Sequence, residues 1–162
     1  MTGNVLADIQ LPRLRPQERH PAGVVQDPDT GTLSAAHAIA EQAGKLSPDT
    51  EVKVFNISKT DKNEIMTEVL KSRAIAVGSP TVSSTILSSV AGWLHFLASL
   101  KFKNKKAAVF GCYGWSGEGN KVLREELAKA GFAVVDENIR SQWNPEKEDL
   151  DKSEAIVKAL LA

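Results

Sequence analysis

The sequence contains a single cysteine, Cys112, and only three histidines among its 162 residues. One cysteine excludes an internal disulfide and a metal site built from several thiolates. Such sparing use of cysteine is typical of reducing compartments, so the sequence predicts a cytoplasmic protein. The histidines, His20, His37 and His95, are scattered and form no histidine–carboxylate cluster with the spacing of metal ligands. We therefore predict no metal site.

An excess of charge of either sign is also absent, because 20 basic and 20 acidic residues give a formal net charge of zero. Proteins that bind nucleic acids need a basic stripe, so we predict no nucleic-acid partner. The apolar runs are too short for a membrane span, and the N-terminus lacks the basic start and apolar run of a signal peptide. A hydrophobic content of 42% predicts one domain with an ordinary core.

The order of apolar and polar segments predicts strands that alternate with helices. Residues 1–22 carry three prolines and three arginines without a regular period, so we predict a linker or poorly ordered arm there and one domain over residues 23–162. A short strand over residues 5–11 is an alternative for part of that arm. Strands are predicted at residues 23–25, 51–57, 74–78, 107–110 and 132–139, and helices at 35–43, 63–71, 86–100, 121–127 and 147–161.

A glycine-rich segment, residues 111–120, stands between the fourth predicted strand and the next helix. Its four glycines let the backbone approach a ligand closely, and its aromatic side chains, Tyr113 and Trp115, suit a flat ligand. Open α/β folds bind their ligands at such strand-to-helix loops. The alternative is a surface loop whose aromatic residues only cover the end of the sheet.

Five strands that alternate with five helices predict a parallel sheet covered on both faces. The continuous apolar run Ala74–Val77 is expected for a central strand that is buried on both sides. Right-handed crossovers then favour a flavodoxin-like α/β three-layer sandwich with strand order 2-1-3-4-5. A receiver-type domain is the main competitor. Asp27 and Asp29 could supply the acidic cluster that such a domain needs, but residues 141–144 contain no lysine.

Three segments, residues 52–66, 78–82 and 111–118, resemble the flavodoxin domain of flavodiiron proteins (A-type flavoproteins, including flavorubredoxin) in order and spacing. The resemblance covers about residues 36–144. It implies an FMN-binding electron-transfer domain that works with a redox partner protein or a diiron domain. The diiron centre of the family lies in a separate metallo-β-lactamase-like domain, so the resemblance implies the flavin half alone and leaves open whether the chain is an enzyme.

The resemblance also implies which residues contact FMN. Residues 79–85 would border the isoalloxazine ring, and residues 112–117 would close its other side with Tyr113 or Trp115 against the ring. The turn at residues 30–32 would hold the phosphate next to the start of a helix. The predicted contacts are Thr30, Gly31, Thr32, Ser79, Pro80, Thr81, Val82, Ser83, Ser84, Thr85, Cys112, Tyr113, Gly114, Trp115, Ser116 and Gly117.

The segment before the first helix departs from the family pattern. Pro28 lacks an N–H donor, and Asp27 and Asp29 add negative charge beside the predicted phosphate position. A second hypothesis therefore stands next to electron transfer. In it, the chain is a non-redox flavodoxin-like scaffold or interaction module whose flavin phosphate site is degraded. Fold alone does not separate the two hypotheses.

Overall fold

The computed structural model of the chain describes residues 5–7 and 30–162. Strands and helices alternate over these residues, so the predicted α/β class is confirmed. The strand predicted at residues 23–25 lies outside the described residues. The elements are β1 (Val5–Ala7), α1 (Thr30–Leu46), β2 (Val52–Val54), α2 (Lys62–Lys71), β3 (Ala74–Gly78), α3 (Ser88–Ser99), β4 (Lys106–Tyr113), α4 (Gly119–Lys129), β5 (Ala133–Gln142) and α5 (Lys147–Leu161).

The strands form one parallel sheet. β3 pairs with β4, and β4 pairs with β5 as far as Tyr113, which lies opposite Gln142. β1 lies between β2 and β3, with Leu6 opposite both Lys53 and Ile75. The structure therefore places three residues of the segment 1–22 within the sheet. The domain boundary at residue 23 stays a prediction.

Alternate residues of the central strands face two separate cores, as expected for extended backbone. Ile75 and Val77 of β3 pack on the side of α2, α3 and α4. Ala74 and Ala76 pack on the side of α1 and α5, together with Phe110. All four residues of the β3 run are at most 2% exposed, which confirms the prediction of a strand buried on both sides. Since helices cover both faces, the strand ends are the places where a ligand can reach the sheet.

Helix α1 is longer at both ends than the sequence predicts. Thr30–Thr32, predicted as a turn, form its first helical turn. Gly44, predicted to stop the helix, lies inside it, and the helix continues to Leu46. A glycine inside a helix costs only about 1 kcal/mol relative to alanine. The buried face of α1, which includes Ile39 and Ala43 at 0% exposure, outweighs that cost because it packs against the sheet and α5.

The basic run Lys101–Lys106 connects α3 to β4. The sequence favours a solvated surface connection there, with docking of an acidic electron partner as the alternative. The structure corrects this interpretation for two of the lysines. The ammonium of Lys105 donates to the carbonyl of Ser72 at the end of α2, and that of Lys106 donates to the carbonyl of Ala159 at 3.0 Å in the last turn of α5. Both lysines therefore satisfy helix C-terminal carbonyls, where a positive charge is favourable.

Replacing Lys105 with methionine should lower the free energy of unfolding by about 1–2 kcal/mol, because the helix carbonyls lose a charged donor while the apolar stem is kept. Lys103→Met is the matched control, since Lys103 is exposed in the same run and should shift stability by less than about 0.5 kcal/mol. Urea unfolding of both variants measures the difference. Equal midpoints would contradict a capping role for Lys105.

Candidate functional site

The carboxyl ends of the parallel strands meet at one edge of the sheet, which we call the carboxyl edge. The loop Ser79–Leu87 leaves β3 there, and the loop Gly114–Glu118 leaves β4. The segment Trp143–Glu146 leaves β5 at the same edge. Two of these three segments are the ones that the sequence assigns to a flat ligand. The third, after β5, was not among the predicted contacts.

Thr81 connects the two predicted ligand loops. Its N–H donates to the carbonyl of Cys112 at 2.8 Å, and its hydroxyl oxygen accepts the N–H of Gly119 at 3.0 Å. Glu118, the N-cap residue of α4, makes no side-chain capping bond, so Thr81 caps that helix from the neighbouring loop. The loops after β3 and β4 are thereby held together before any ligand is considered.

Ser79 shapes the first loop from inside. It is 1% exposed, and its hydroxyl accepts the N–H of Leu87 at 3.0 Å and donates to the carbonyl of Pro80 at 2.9 Å. Its own N–H donates to the carbonyl of Phe110. The hydroxyl and the N–H of Ser79 are therefore already used within the protein. A ligand must be bound by other groups of this loop.

Those groups are at the tip, where Val82–Thr85 form a tight turn. The N–H of Val82 donates to the carbonyl of Thr85 at 2.8 Å, and the reverse bond measures 3.0 Å. Ser83 and Ser84 both have positive φ, 49° and 62°, as in a type I′ turn. Asparagine and glycine adopt this conformation more readily than serine. All four residues of the turn are exposed at the carboxyl edge.

The second loop is shorter than the sequence predicts. Cys112 and Tyr113, predicted as loop residues, belong to β4, because β5 extends to Gln142 and supplies a pairing partner for each. Cys112 is 4% exposed, so it is a buried residue of that strand. The loop proper is Gly114–Glu118, and Trp115 at its tip is 92% exposed.

Trp143, directly after β5, is an aromatic residue at the carboxyl edge that is not among the predicted contacts. It is 60% exposed, and its ring lies edge-on to that of Trp115, with 5.7 Å between centroids. Arg140, on β5, lies over the Tyr113 ring at 4.7 Å. The sequence feature that could have identified Trp143 as a site residue is its place as a tryptophan in the polar stretch directly after the fifth strand.

The charges near the site come from Glu118, Arg140 and the start of α1. A hydrogen bond from the Ser116 hydroxyl holds the pKa of Glu118 below its usual value, and the positive charge of Arg140 contributes less. Glu118 is therefore ionised at neutral pH at the start of α4, where a negative charge is favourable. The first turn of α1 contains no acidic residue, and Thr32 in that turn is 4% exposed.

Two kinds of feature are missing from the part of the chain that the structure describes. Within residues 5–7 and 30–162, no group of three or more histidine, cysteine, aspartate or glutamate side chains is arranged to hold a metal ion. No helix in the same residues combines the length and the apolar character needed to cross a membrane.

The flavodoxin family model matches residues 29–156. The anaerobic nitric oxide reductase flavorubredoxin of Vibrio vulnificus (strain YJ016) is 41% identical over 115 residues, which cover 71% of this chain and 23% of that protein. The flavorubredoxin of Enterobacter sp. (strain 638) is 35% identical over 120 residues, 74% of this chain and 25% of that protein. The chain thus spans about a quarter of the length of the curated relatives that it matches.

Solved structures agree with these matches. The rubredoxin oxygen:oxidoreductase of Desulfovibrio gigas superposes with a TM-score of 0.77 at 26% identity, covering 98% of this chain and 35% of that chain. A flavodoxin from the domain Archaea superposes with a TM-score of 0.71 at 23% identity, covering 99% of this chain and 96% of that chain. The second likeness concerns the fold alone.

Proposed function

Because this chain belongs to the flavodoxin family, we propose that its carboxyl edge binds FMN and that the domain carries electrons for a redox partner. The predicted resemblance is confirmed, since the chain is homologous to the flavodoxin module of flavorubredoxins. When bound, FMN supplies a ring system that accepts and releases electrons. The observation that carries the proposal is the exposed Trp115, presented beside a tight turn at the carboxyl edge.

The loops after β3 and β4 fit a flat ring. Trp115 exposes 92% of its surface and Val82 exposes 44%, although both are large apolar residues. Apolar groups left in water on loops at a sheet edge favour an apolar, planar ligand that covers them. The turn Ser83–Ser84 adds exposed backbone and hydroxyl groups that can hydrogen-bond the polar rim of such a ring.

The start of α1 fits a phosphate. The helix dipole favours an anion at the start of a helix. In this chain the first turn consists of Thr30, Gly31 and Thr32, and it contains no carboxylate that would repel a phosphate. Asp27 and Asp29, whose charge argued against a phosphate, lie outside the described residues, and their effect stays a prediction.

The proposal includes the complete strand order 2-1-3-4-5 with Val5–Ala7 as the first strand. The pairing of β1 with both β2 and β3 supports this order. In a right-handed crossover from that strand, α1 begins at the carboxyl edge next to the loop after β3. The order would thus bring the three predicted contact segments to one edge of the sheet.

The proposed partner is a redox protein or a diiron domain, and the proposed location is the cytoplasm. The partner is inferred from relatives named as nitric oxide reductases, in which this domain makes up about a quarter of the chain. The location is inferred from the single cysteine. Both belong to the proposal, together with the predicted contact residues.

Titration of the purified apoprotein with FMN tests the proposal. We expect quenching of flavin fluorescence, because an aromatic side chain stacks on the ring. Trp115→Ala should weaken binding by about 1–3 kcal/mol, the range measured when a base loses its aromatic stacking partner. Leu70→Ala is the matched control, since Leu70 is also an exposed apolar residue, at 62%, but lies on α2.

Riboflavin provides the second arm of the same titration. Hydrogen bonds to charged groups contribute about 1.5–3 kcal/mol each, so a working phosphate site should make FMN bind much more tightly than riboflavin. Equal affinities would show that the start of α1 does not hold the phosphate. Absence of binding at high micromolar FMN would favour the non-redox scaffold instead.

A further inference from the structure

The end of β5 holds the loop Gly114–Glu118 from one side. The side-chain amide of Gln142 donates to the carbonyl of Gly114 at 3.1 Å. The Nε of Arg140 donates to the carbonyl of Gly117 at 3.0 Å. Two carbonyls of the short loop that carries the exposed tryptophan are therefore satisfied by β5, and the loop backbone is anchored at both of its ends.

Trp143, immediately after β5, contacts this loop and the end of β4 that precedes it. Its N–H donates to the carbonyl of Tyr113 at 2.8 Å. Its ring packs so tightly on Gly114 that a Cβ there would lie 3.1 Å from the ring. Its ring also meets that of Trp115 edge-on, with an interplanar angle of 68°. An edge-to-face contact of this kind fixes the relative orientation of two aromatic rings.

The backbone of Trp143 is strained. Its φ is 60°, in the left-handed region that bulky residues rarely adopt. Such a conformation persists only where surrounding contacts enforce it, and it occurs preferentially at ligand sites. Packing over the sheet end does not account for it, because 60% of Trp143 remains exposed and its described contacts are with Tyr113, Gly114 and Trp115.

We propose that Trp143 is a positioning residue of the flavin site: its ring holds Trp115 in one orientation before the ligand arrives. The inference rests on the proposed function, because it assigns a role toward the same FMN. An exposed tryptophan without a neighbour would lose side-chain freedom on binding, and that loss would weaken the complex. Ordering Trp115 in advance removes part of this cost.

The test uses the variants Trp143→Gly and Trp143→Phe in the full chain. Glycine accepts a φ of 60° without strain, so the melting temperature of Trp143→Gly should stay the same or rise. Its dissociation constant for FMN should nevertheless increase about two- to tenfold, the range expected for one aromatic pair. Phenylalanine keeps a ring against Trp115 and should restore most of the affinity. An unchanged dissociation constant in Trp143→Gly would overturn the proposal.

A double-mutant cycle shows whether Trp143 acts through Trp115. In a Trp115→Ala background, Trp143→Gly should cause no further loss of FMN affinity. An equal loss in both backgrounds would overturn the positioning role, because it would mean that Trp143 acts on FMN independently of Trp115.

A measurement on the flavin-free protein distinguishes failure of this proposal from failure of the proposed function. In the apoprotein, NMR relaxation of the Trp115 indole N–H should show a lower order parameter in Trp143→Gly than in the unmodified chain. An unchanged order parameter would overturn the positioning role even if FMN binds. A lowered order parameter in a chain that fails to bind FMN would support the Trp143–Trp115 contact and reject the proposed function.

Discussion

Deletion of residues 1–22 is expected to abolish cooperative unfolding of this chain. It removes β1, which pairs on one side with β2 and on the other with β3. Loss of an internal strand breaks two ladders of backbone hydrogen bonds and leaves β2 without a partner in the sheet. The whole stability of a domain is only about 5–15 kcal/mol, so damage of this kind exceeds what the remaining core can offset. Circular dichroism during heating and urea unfolding measure the outcome.

A single substitution distinguishes the effect of losing β1 from the effect of removing a long segment. Leu6→Pro in the full chain removes one N–H from the middle of β1 and should cost about 3 kcal/mol or more. Leu6→Ala keeps that N–H and is the matched control for the backbone effect. A fragment of residues 23–162 that unfolds cooperatively with full stability would contradict the role of β1. It would support the domain boundary that the sequence predicts.

Gly111→Ala is expected to produce the second large effect, a loss of about 3 kcal/mol or more from overpacking against backbone. A Cβ at Gly111 would lie 2.2 Å from the carbonyl oxygen of Ser79 and 2.9 Å from the side-chain oxygen of Asn120. The Ser79 backbone is held by its bond to Phe110 and cannot move away alone. Displacing the Ser79 backbone from Gly111 would also separate the two loops that Thr81 holds together, so FMN affinity should fall as well.

The matched control is Gly92→Ala, the same chemical change inside α3. Apart from the adjacent residues and the backbone of its own helix, no atom lies within 4 Å of a Cβ at Gly92, so the substitution meets no obstacle. Alanine is about 1 kcal/mol better than glycine in a helix interior, and Gly92→Ala should therefore stabilise the protein. Thermal unfolding of the two variants should shift in opposite directions. If Gly111→Ala is as stable as the unmodified chain, the close approach of Gly111 to the Ser79 backbone is wrong.

Much of the α/β architecture follows from local patterns in the sequence. The run Ala74–Val77 predicts β3 correctly because a strand buried on both faces must be apolar at every position. Helix α5 is predicted with its observed bounds, residues 147–161. Its start follows Pro145, and a capping box between Glu146 and Asp149 satisfies its first N–H groups. These signals lie within a few residues of the structure that they determine, so no tertiary information is needed to find them.

The positions of the loops at the carboxyl edge were predicted in part, and the ligand contacts assigned to them stay predictions. Trp115 and the loop that contains Ser83 and Ser84 were correctly placed after strands, because each segment is marked by its own residue types. The end of β4 was placed too early because the strand state of Tyr113 depends on its partner Gln142, far along the chain. A pattern within one segment does not contain that pairing.

The sequence by itself therefore determined the class of fold, the buried central strand and the loops at its carboxyl edge, because hydrophobic periodicity and glycine placement are local properties. Tertiary structure alone decided how those loops are held. Thr81 caps a helix that belongs to another segment, and Trp143, directly after β5, contacts Trp115 in the loop after β4. Such contacts form only when the parallel strands bring residues that are distant in sequence to one edge of the sheet.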